Sequence, residues 1–401
     1  MTTMHHKRFG IWGAGDCGRG IGNILQELGY ELKAYFDGNS KKWGEQIGDV
    51  SVFAPKELCK MANQGIDVII IGVDNQAAED EIFQTIGRIM GESYKNITLW
   101  NCKTARNFFY KEYMIVMKEK MVYQWNVDFL SHSADWLNNI DSEVRYWQGV
   151  CTGEGGAHDN YLVRARNKDF TAIDTSIQMI ENDLVAGDVV VDLGCGLITM
   201  YGACAKNGRL RMISMDPLAP FYNRMNHIYL PEEANDAKAC KFGMFEFVDS
   251  FLPEEYANCV IINNALDHCI DPYRSIVKCM NVLRVGGILH LSHRRAEAVY
   301  EGWQGLHKWN VDYNSENELI LWNKTNAVNI SKALADVAQI TLSHSGEEVN
   351  ADETFVIADI KKICHTEEKT SDYKRDRDEL AYLFDALMDK FADVKLRGIW
   401  N

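Results

Sequence analysis

The chain has only 6 prolines in 401 residues, no CxxC pair, and no apolar run long enough to cross a bilayer. The last of these excludes a transmembrane helix, and the second makes a Cys/His metal site unexpected. Basic residues are also short, 42 against 57 acidic ones for a net charge of −15. Nucleic acid is therefore not the expected substrate, because its binders need a basic face to displace counterions. The first ten residues, MTTMHHKRFG, lack the apolar core of a signal peptide. The 11 cysteines are scattered, odd in number and often set inside apolar patterns, as expected of buried thiols rather than disulfides. These features together predict a cytoplasmic protein that uses no membrane.

What is present is an ordinary globular composition, 46% apolar and 25% charged, in a chain long enough for two domains. Strand-like runs at residues 9–12, 32–36 and 68–73 alternate with helical patterns at about 18–28 and from 77. A second series has strands beginning at 189 and at 212–215, 259–262 and 288–292. Short apolar runs that end in polar or glycine-rich turns predict parallel strands buried on both faces. Between the series, residues 106–175 are aromatic-rich, with Trp125, Trp136, Tyr146, Trp147 and Tyr161, and read as a helical linker or lid. A helix from about 331 and strands at 339–343 and 354–360 would close the second sheet with an antiparallel edge. A terminal helix over 366–401 carries Leu380, Leu383, Phe384, Leu387, Met388 and Phe391 on one face. Docking on its own domain is favoured there, and a homo-oligomer contact stays open.

Residues 189–196, VVVDLGCG, read as a buried strand ending in an acid and a glycine turn. Gly194 and Gly196 let a ligand approach the backbone, Asp192 can hold an ammonium, and Asp216, ending the next strand, can accept ribose hydroxyls. Alone, this would suit NAD, FAD or S-adenosylmethionine (SAM). Further segments follow in order: FVDSFLP at 247–253, VIINNALDHCIDP at 260–272, and Leu283, Val285, Gly286 and Gly287 ahead of an apolar strand. Over roughly 187–292 the chain resembles the class I SAM-dependent methyltransferases. Ile198 stands where a third glycine is frequent, and Arg284 where Lys-Pro is common. The resemblance implies SAM as cofactor, Asp249 on the adenine amino group in a third-strand segment, and Ser250 and Asn263 alongside. It also implies a methyltransferase domain over 176–365.

Methyl transfer requires an aligned nucleophile and often a base. His268, His293 and His307 all fall in loops at the expected C-terminal edge of the second sheet. His307 is the first choice, because Trp303 and Trp309 beside it would suit a sugar-like substrate.

Near the N-terminus, Gly13, Gly15 and Gly18 form a complete GxGxxG between a strand and a helix, with Asp37 ending the following strand. The continuation to about residue 73 resembles Rossmann-like domains attached to bacterial sugar-modifying enzymes. That resemblance implies a nucleotide or nucleotide-sugar site, or a scaffold that has lost one, over residues 1–105. The expected fold is thus α/β with two Rossmann-like domains, a helical linker and a C-terminal helix. The expected activity is SAM-dependent methylation of a small polar acceptor, a sugar or nucleotide-linked sugar, with O-methylation favoured. Two alternatives stay open: an NAD(P)-dependent oxidoreductase, for which no Tyr-x-x-x-Lys dyad falls beside the glycine turn, and a non-catalytic SAM- or nucleotide-binding module.

Overall fold

A computed structural model of the chain describes residues 7–73, 75–91, 97–120, 123–154, 157–166, 184–201, 204–205, 207–230, 239–345, 354–366 and 372–393. The chain divides into two compact units, residues 1–121 with 296–307 and 346–354, and residues 122–295 with 308–345 and 355–401.

In the first unit, β1 (Arg8–Trp12), β2 (Glu31–Phe36), β3 (Gln46–Ile47), β4 (Val50–Phe53), β5 (Val68–Ile71) and β6 (Thr98–Asn101) form one sheet in the order β3-β4-β2-β1-β5-β6. All pairs are parallel except the short edge pair β3 and β4. Every residue of β5, Val68, Ile69, Ile70 and Ile71, is buried, as branched side chains are in a strand covered on both faces. Helix α1 (Asp16–Glu27) buries Ile21, Ile24 and Leu25 at helical spacing, and α2 (Leu58–Asn63) and α3 (Gln76–Met90) follow. The Asn75 side chain caps α3 by accepting from the Ala78 amide. α4 (Cys102–Lys120) also belongs to this unit.

In the second unit, α5 (Phe129–Thr152) and α6 (His158–Arg166) precede the sheet. The aromatic-rich stretch is therefore helical over much of its described length, and its last residues, 167–175, lie outside the described ones. The strands are β7 (Val189–Leu193), the two-residue pair β8 (Cys204–Ala205) and β9 (Gly208–Arg209), β10 (Arg211–Asp216), β11 (Lys241–Phe242), β12 (Ala257–Asn263) and β13 (Leu283–Arg294). A three-stranded antiparallel sheet of β14 (Asn310–Tyr313), β15 (Leu319–Trp322) and β16 (Ala327–Asn329) follows, then β17 (Ala338–His344) and β18 (Phe355–Lys362). The main sheet runs β11-β10-β7-β12-β13-β18-β17, parallel through β13 and antiparallel at β18 and β17. The antiparallel edge matches expectation. The small sheet was not expected, and the helix placed near 331 is the single turn α11 (Ile330–Ala333), after α7 (Ala219–Tyr229), α8 (Val248–Phe251) and α9 (Pro272–Val282) of this unit and α10 (Glu297–Tyr300) of the first.

The terminal helix α12 (Asp372–Asp393) docks on its own unit. Leu383 and Leu387 are fully buried, Phe391 meets Phe221 edge-on, and Phe384 meets Phe242. Asp376 is buried against Arg274 and Lys278 of α9, and Glu379 pairs with Arg274 at 2.7 Å. Leu383, Leu387 and Phe391 of the apolar stripe thus pack within one copy of the chain, while Phe384 is partly exposed. Among the described residues no helix is long and apolar enough to cross a membrane.

Strand order reverses beside β1 in the first sheet and beside β7 in the second, because the next strands lie to opposite sides of each. A crevice opens at such a switch point beyond the strand ends, so topology aims both glycine turns at a potential ligand. In the first turn the glycines differ in kind. A Cβ on Gly18 would lie 1.9 Å from the Gly13 carbonyl oxygen, whereas one on Gly15 would meet nothing within 4 Å. Gly18→Ala should therefore destabilise the first unit by about 1–3 kcal/mol or more, with Gly15→Ala close to neutral. Chemical denaturation of both variants checks this, and equal midpoints would refute it.

Candidate cofactor and active site

β7 delivers Asp192 to the crevice, and the chain then turns through Gly194 (φ 83°) and Gly196 (φ 63°). Both lie in the left-handed region that favours glycine. A Cβ on Gly194 would sit 2.6 Å from both the Ala265 Cβ and the Phe245 ring, and one on Gly196 would sit 3.3 Å from the Trp147 indole. The turn is held by Asp216 at the end of β10, whose Oδ2 accepts from the Gly196 amide (3.1 Å) and whose Oδ1 accepts from the Leu218 amide (2.8 Å). Each oxygen of Asp216 keeps a lone pair for a further donor.

Asp192 is buried, and among the described residues its Oδ2 has no hydrogen-bond partner. Burial pushes its carboxyl up to about 6, against the opposing effects of the Thr199 hydrogen bond and the Arg164 charge. Burial likewise pushes Asp216 up to about 7. Its two amide hydrogen bonds oppose that shift, and the charges of Glu143 and Asp192 add to it. Three carboxylates thus face one region from β7, β10 and α5. A buried acid with an unsatisfied oxygen invites a donor, and a cation satisfies it best. The ammonium and ribose of SAM fit these groups: Asp192 for the cation, Asp216 for the hydroxyls, and the two glycines for close backbone approach.

Glu143 and Trp147 lie outside every motif in the sequence. The Trp147 Nε1 donates to Glu143 (2.7 Å), and its ring meets Tyr222 edge-on. Tyr222 is fully buried, which raises its phenol well above the ordinary value, as do the charges of Asp216 and Glu143. Trp136, Ile140, Val144 and Trp147 fall on one face of α5, with Glu143 beside them. The aromatic density of this stretch was the available signal for a lid.

Other expected site residues are placed differently. Residues 245–247 form a 3-10 turn running into α8, so the segment expected as a third strand is helical, and the third strand is β11. On α8, Asp249 accepts from Lys278 Nζ and Asn281 Nδ2, each at 2.9 Å, while Ser250 is exposed. Those two donors hold Asp249 against α9. Asn263 ends β12, with Nδ2 2.8 Å from the Met200 sulfur.

His293 is buried, with Nδ1 on the Arg294 carbonyl (2.8 Å) and Nε2 on Asp267 Oδ1 (3.0 Å), an arrangement that anchors the loop. His268 is half-buried, with Nδ1 3.9 Å from Glu143 and Nε2 3.7 Å from Asp267 Oδ2. Trp136 Nε1 donates to the His268 carbonyl (3.0 Å), which ties α5 to this loop. His307 belongs to the first unit. Trp309 is fully buried, stacked on Trp125 and donating to the Cys269 carbonyl, so it presents no face to a sugar. Trp303 meets Tyr113 edge-on within the first unit.

In the first unit Asp37 Oδ2 accepts from the Ala14 amide (2.9 Å) and Lys42 Nζ (3.1 Å), and Oδ1 accepts from the Asn39 amide (2.8 Å). Burial raises this acid, but the amides and Lys42 win and hold it below the ordinary carboxylate value. The open side of the turn is at Gly15, at the uncapped start of α1.

Residues 191–291 match the family model of a methyltransferase domain. The second unit carries a methyltransferase domain. Residues 4–91 match the model of a CoA binding domain, so a Rossmann-like domain of that family precedes the methyltransferase domain. Among solved structures the chain is similar to the UDP-D-quinovosamine 4-dehydrogenase of Vibrio fischeri, at 20% identity over 24% of this chain and 76% of that one, TM-score 0.20. It is also similar to RSP, a Rex-family repressor, at 23% identity over 28% of this chain and 60% of that one, TM-score 0.21. For the CurJ carbon methyltransferase the identity is 15% over 65% of this chain and 81% of that one, TM-score 0.35. With scores this low, none of the three bears on what this chain does. No curated protein matches the chain.

A cation bound at Asp192, and hydroxyls donating to Asp216, favour the ionised forms of both acids. Starting from about 6 and about 7, these acids should lose protons when SAM binds. Affinity should therefore rise with pH between about 5 and 8 and level off above, by up to about tenfold per pH unit for each linked proton. Calorimetry in buffers of different ionisation enthalpy counts the protons, and no release near neutrality would contradict the assignment. Asp216→Ala should weaken binding by about 1.5–3 kcal/mol.

Proposed function

We propose that the methyltransferase domain transfers a methyl group from SAM to a hydroxyl of a small polar acceptor, a sugar or nucleotide-linked sugar. The observation that carries the cofactor assignment is the buried Asp192 with its partnerless oxygen beside two left-handed glycines. When bound, SAM supplies a methyl group made electrophilic by the sulfonium.

The chain's own residues divide the remaining work. Asp192 accepts from the ammonium, and Asp216 accepts from ribose hydroxyls while keeping its amide bonds to the turn. The α5 indoles of Trp136 and Trp147 exclude water beside the turn and the His268 loop, which strengthens the polar contacts made there. His268 serves as base: it is half-buried, unlike His293, and belongs to the same unit as the glycine turn. It takes the hydroxyl proton on a ring nitrogen as the acceptor oxygen attacks. The Glu143 and Asp267 carboxylates, 3.9 and 3.7 Å from its two nitrogens, stabilise the imidazolium that forms. The first unit is read as a nucleotide site at the open Gly15 end of α1.

A screen of free sugars and nucleotide-sugars with product detection by mass spectrometry comes first. On the acceptor so found, His268→Ala should slow turnover by about 100-fold to 10,000-fold with SAM affinity unchanged, and high pH should restore part of the loss. His293→Ala should mainly destabilise the fold. If His307→Ala alone shows the catalytic pattern, the base is His307. Tight SAM binding without turnover on any acceptor would favour a binding module.

A further inference from the structure

Among the described residues two pairs of sulfur atoms lie close together, and each includes a cysteine of a glycine turn. Cys195 sits between Gly194 and Gly196 with its sulfur 2.9 Å from that of Cys240. Both are buried, and burial raises both thiols above the ordinary value. Cys17 lies in the first glycine turn with its sulfur 3.0 Å from that of Cys102. This second pair is differently situated. Cys17 is half-buried, whereas Cys195 and Cys240 are both buried.

The Cys17 pair lies beside a guanidinium and two helix starts, with Asp16 in the first turn of α1. Cys17 is the second residue of the 12-residue α1, and Cys102 is the first of the 19-residue α4. Two helix N-termini therefore converge on the two sulfurs, each with partial positive charge. The Arg106 guanidinium is buried nearby, with Nη2 3.8 Å from the Cys17 sulfur and its plane 3.7 Å from the centre of the Tyr300 ring. The guanidinium and the two helix starts place donors beside the sulfurs between which a thiol–disulfide exchange would run.

We propose that Cys17 and Cys102 are a reversible dithiol–disulfide site that exchanges with low-molecular-weight disulfides of the glutathione class. The Cys17 thiolate attacks one sulfur of the small disulfide RSSR, forming a mixed disulfide and releasing one thiolate RS⁻. The Cys102 thiolate then attacks the Cys17 sulfur, closing the internal bond and releasing the second RS⁻. Two protein thiols are oxidised, RSSR is reduced to two RSH, and the two cysteine protons end on the released thiolates. Closure needs the sulfurs to approach from 3.0 Å to about 2.05 Å. The bond would tie the glycine turn, two residues beyond the open Gly15, to the start of α4. Oxidation would then set the freedom of the turn in which a nucleotide phosphate would have to lie. A cytoplasmic setting suits such a pair, since disulfides there are transient and redox-sensing.

The test equilibrates the full-length reduced protein with graded mixtures of reduced and oxidised glutathione. Acid quenching, alkylation under denaturing conditions and peptide mapping follow. The expected result is one crosslink joining the peptides of Cys17 and Cys102, reversed by reductant, with Cys195 and Cys240 alkylated as thiols throughout. In Cys102→Ser the reaction should stop at a Cys17–glutathione mixed disulfide, and in Cys17→Ser residue 102 should stay a thiol. The proposal is overturned if wild-type Cys17 stays in the mixed form while Cys102 remains a thiol. It is equally overturned if the half-buried Cys59 and Cys364 react before the pair does. Because the wild-type map decides by itself, misfolding of either variant leaves the test intact.

Discussion

Asp192 and Asp216 end neighbouring parallel strands, and both are buried where their charge is least welcome. Each is raised toward neutral pH by that burial, and the charge of Asp192 raises Asp216 further. A domain carrying such a pair gives up stability unless something in the crevice compensates. The rest of the second unit is arranged around that deficit. The glycine turn brings backbone amides to Asp216, and the packed Phe245, Ala265 and Trp147 leave no room for a side chain on the turn. Helix α5 brings a third acid, Glu143, whose charge raises Asp216 further, while the Arg164 charge opposes the shift of Asp192.

The covering helix is itself held from outside. Arg274 on α9 stacks over the rings of Phe129, the first residue of α5, and Phe247, and its guanidinium bonds Asp376 and Glu379 of the terminal helix. Lys278, one turn along α9, joins Asp249 to Asp376. These charges are largely buried, so removing one partner strands the others, and such a network is costly to break even where its net stabilisation is small. Asp249 is a member of that network, which explains why an acid in a familiar segment faces α9.

The two glycine turns show how one backbone device yields different sites. In the first unit Gly13 and Gly18 are required because strand, helix and turn touch, and only Gly15 faces open space. The acid at the end of the next strand, Asp37, is satisfied by two amides and a lysine and is held ionised. In the second unit the corresponding acid, Asp216, is satisfied by amides alone and is pushed toward protonation. Complete burial of Asp216, with carboxylates for neighbours, against the partial burial of Asp37 beside the Lys42 ammonium makes this difference, and none of it belongs to the turn motif.

Much of this protein was legible from local pattern. Parallel strands buried on both faces are continuous apolar runs, and a turn that demands positive φ must contain glycine, so β1, β5, β7, β10, β12 and both turns could be read from residue order. The antiparallel edge and the terminal helix were visible for the same reason, since alternation and a helical stripe are properties of adjacent residues. Features that depend on residues far apart were not visible. Trp309 has the composition of a sugar platform, yet it is buried against Trp125, which lies 184 positions earlier by number (309 − 125). His293 and His268 are equivalent in a motif, yet Asp267 and the Arg294 carbonyl occupy both nitrogens of the former, while the latter meets Glu143 of α5. Local order determined which backbone shapes could form. Tertiary structure decided which polar groups lost water and which partners they met, because desolvation and charge act through space and not along the chain.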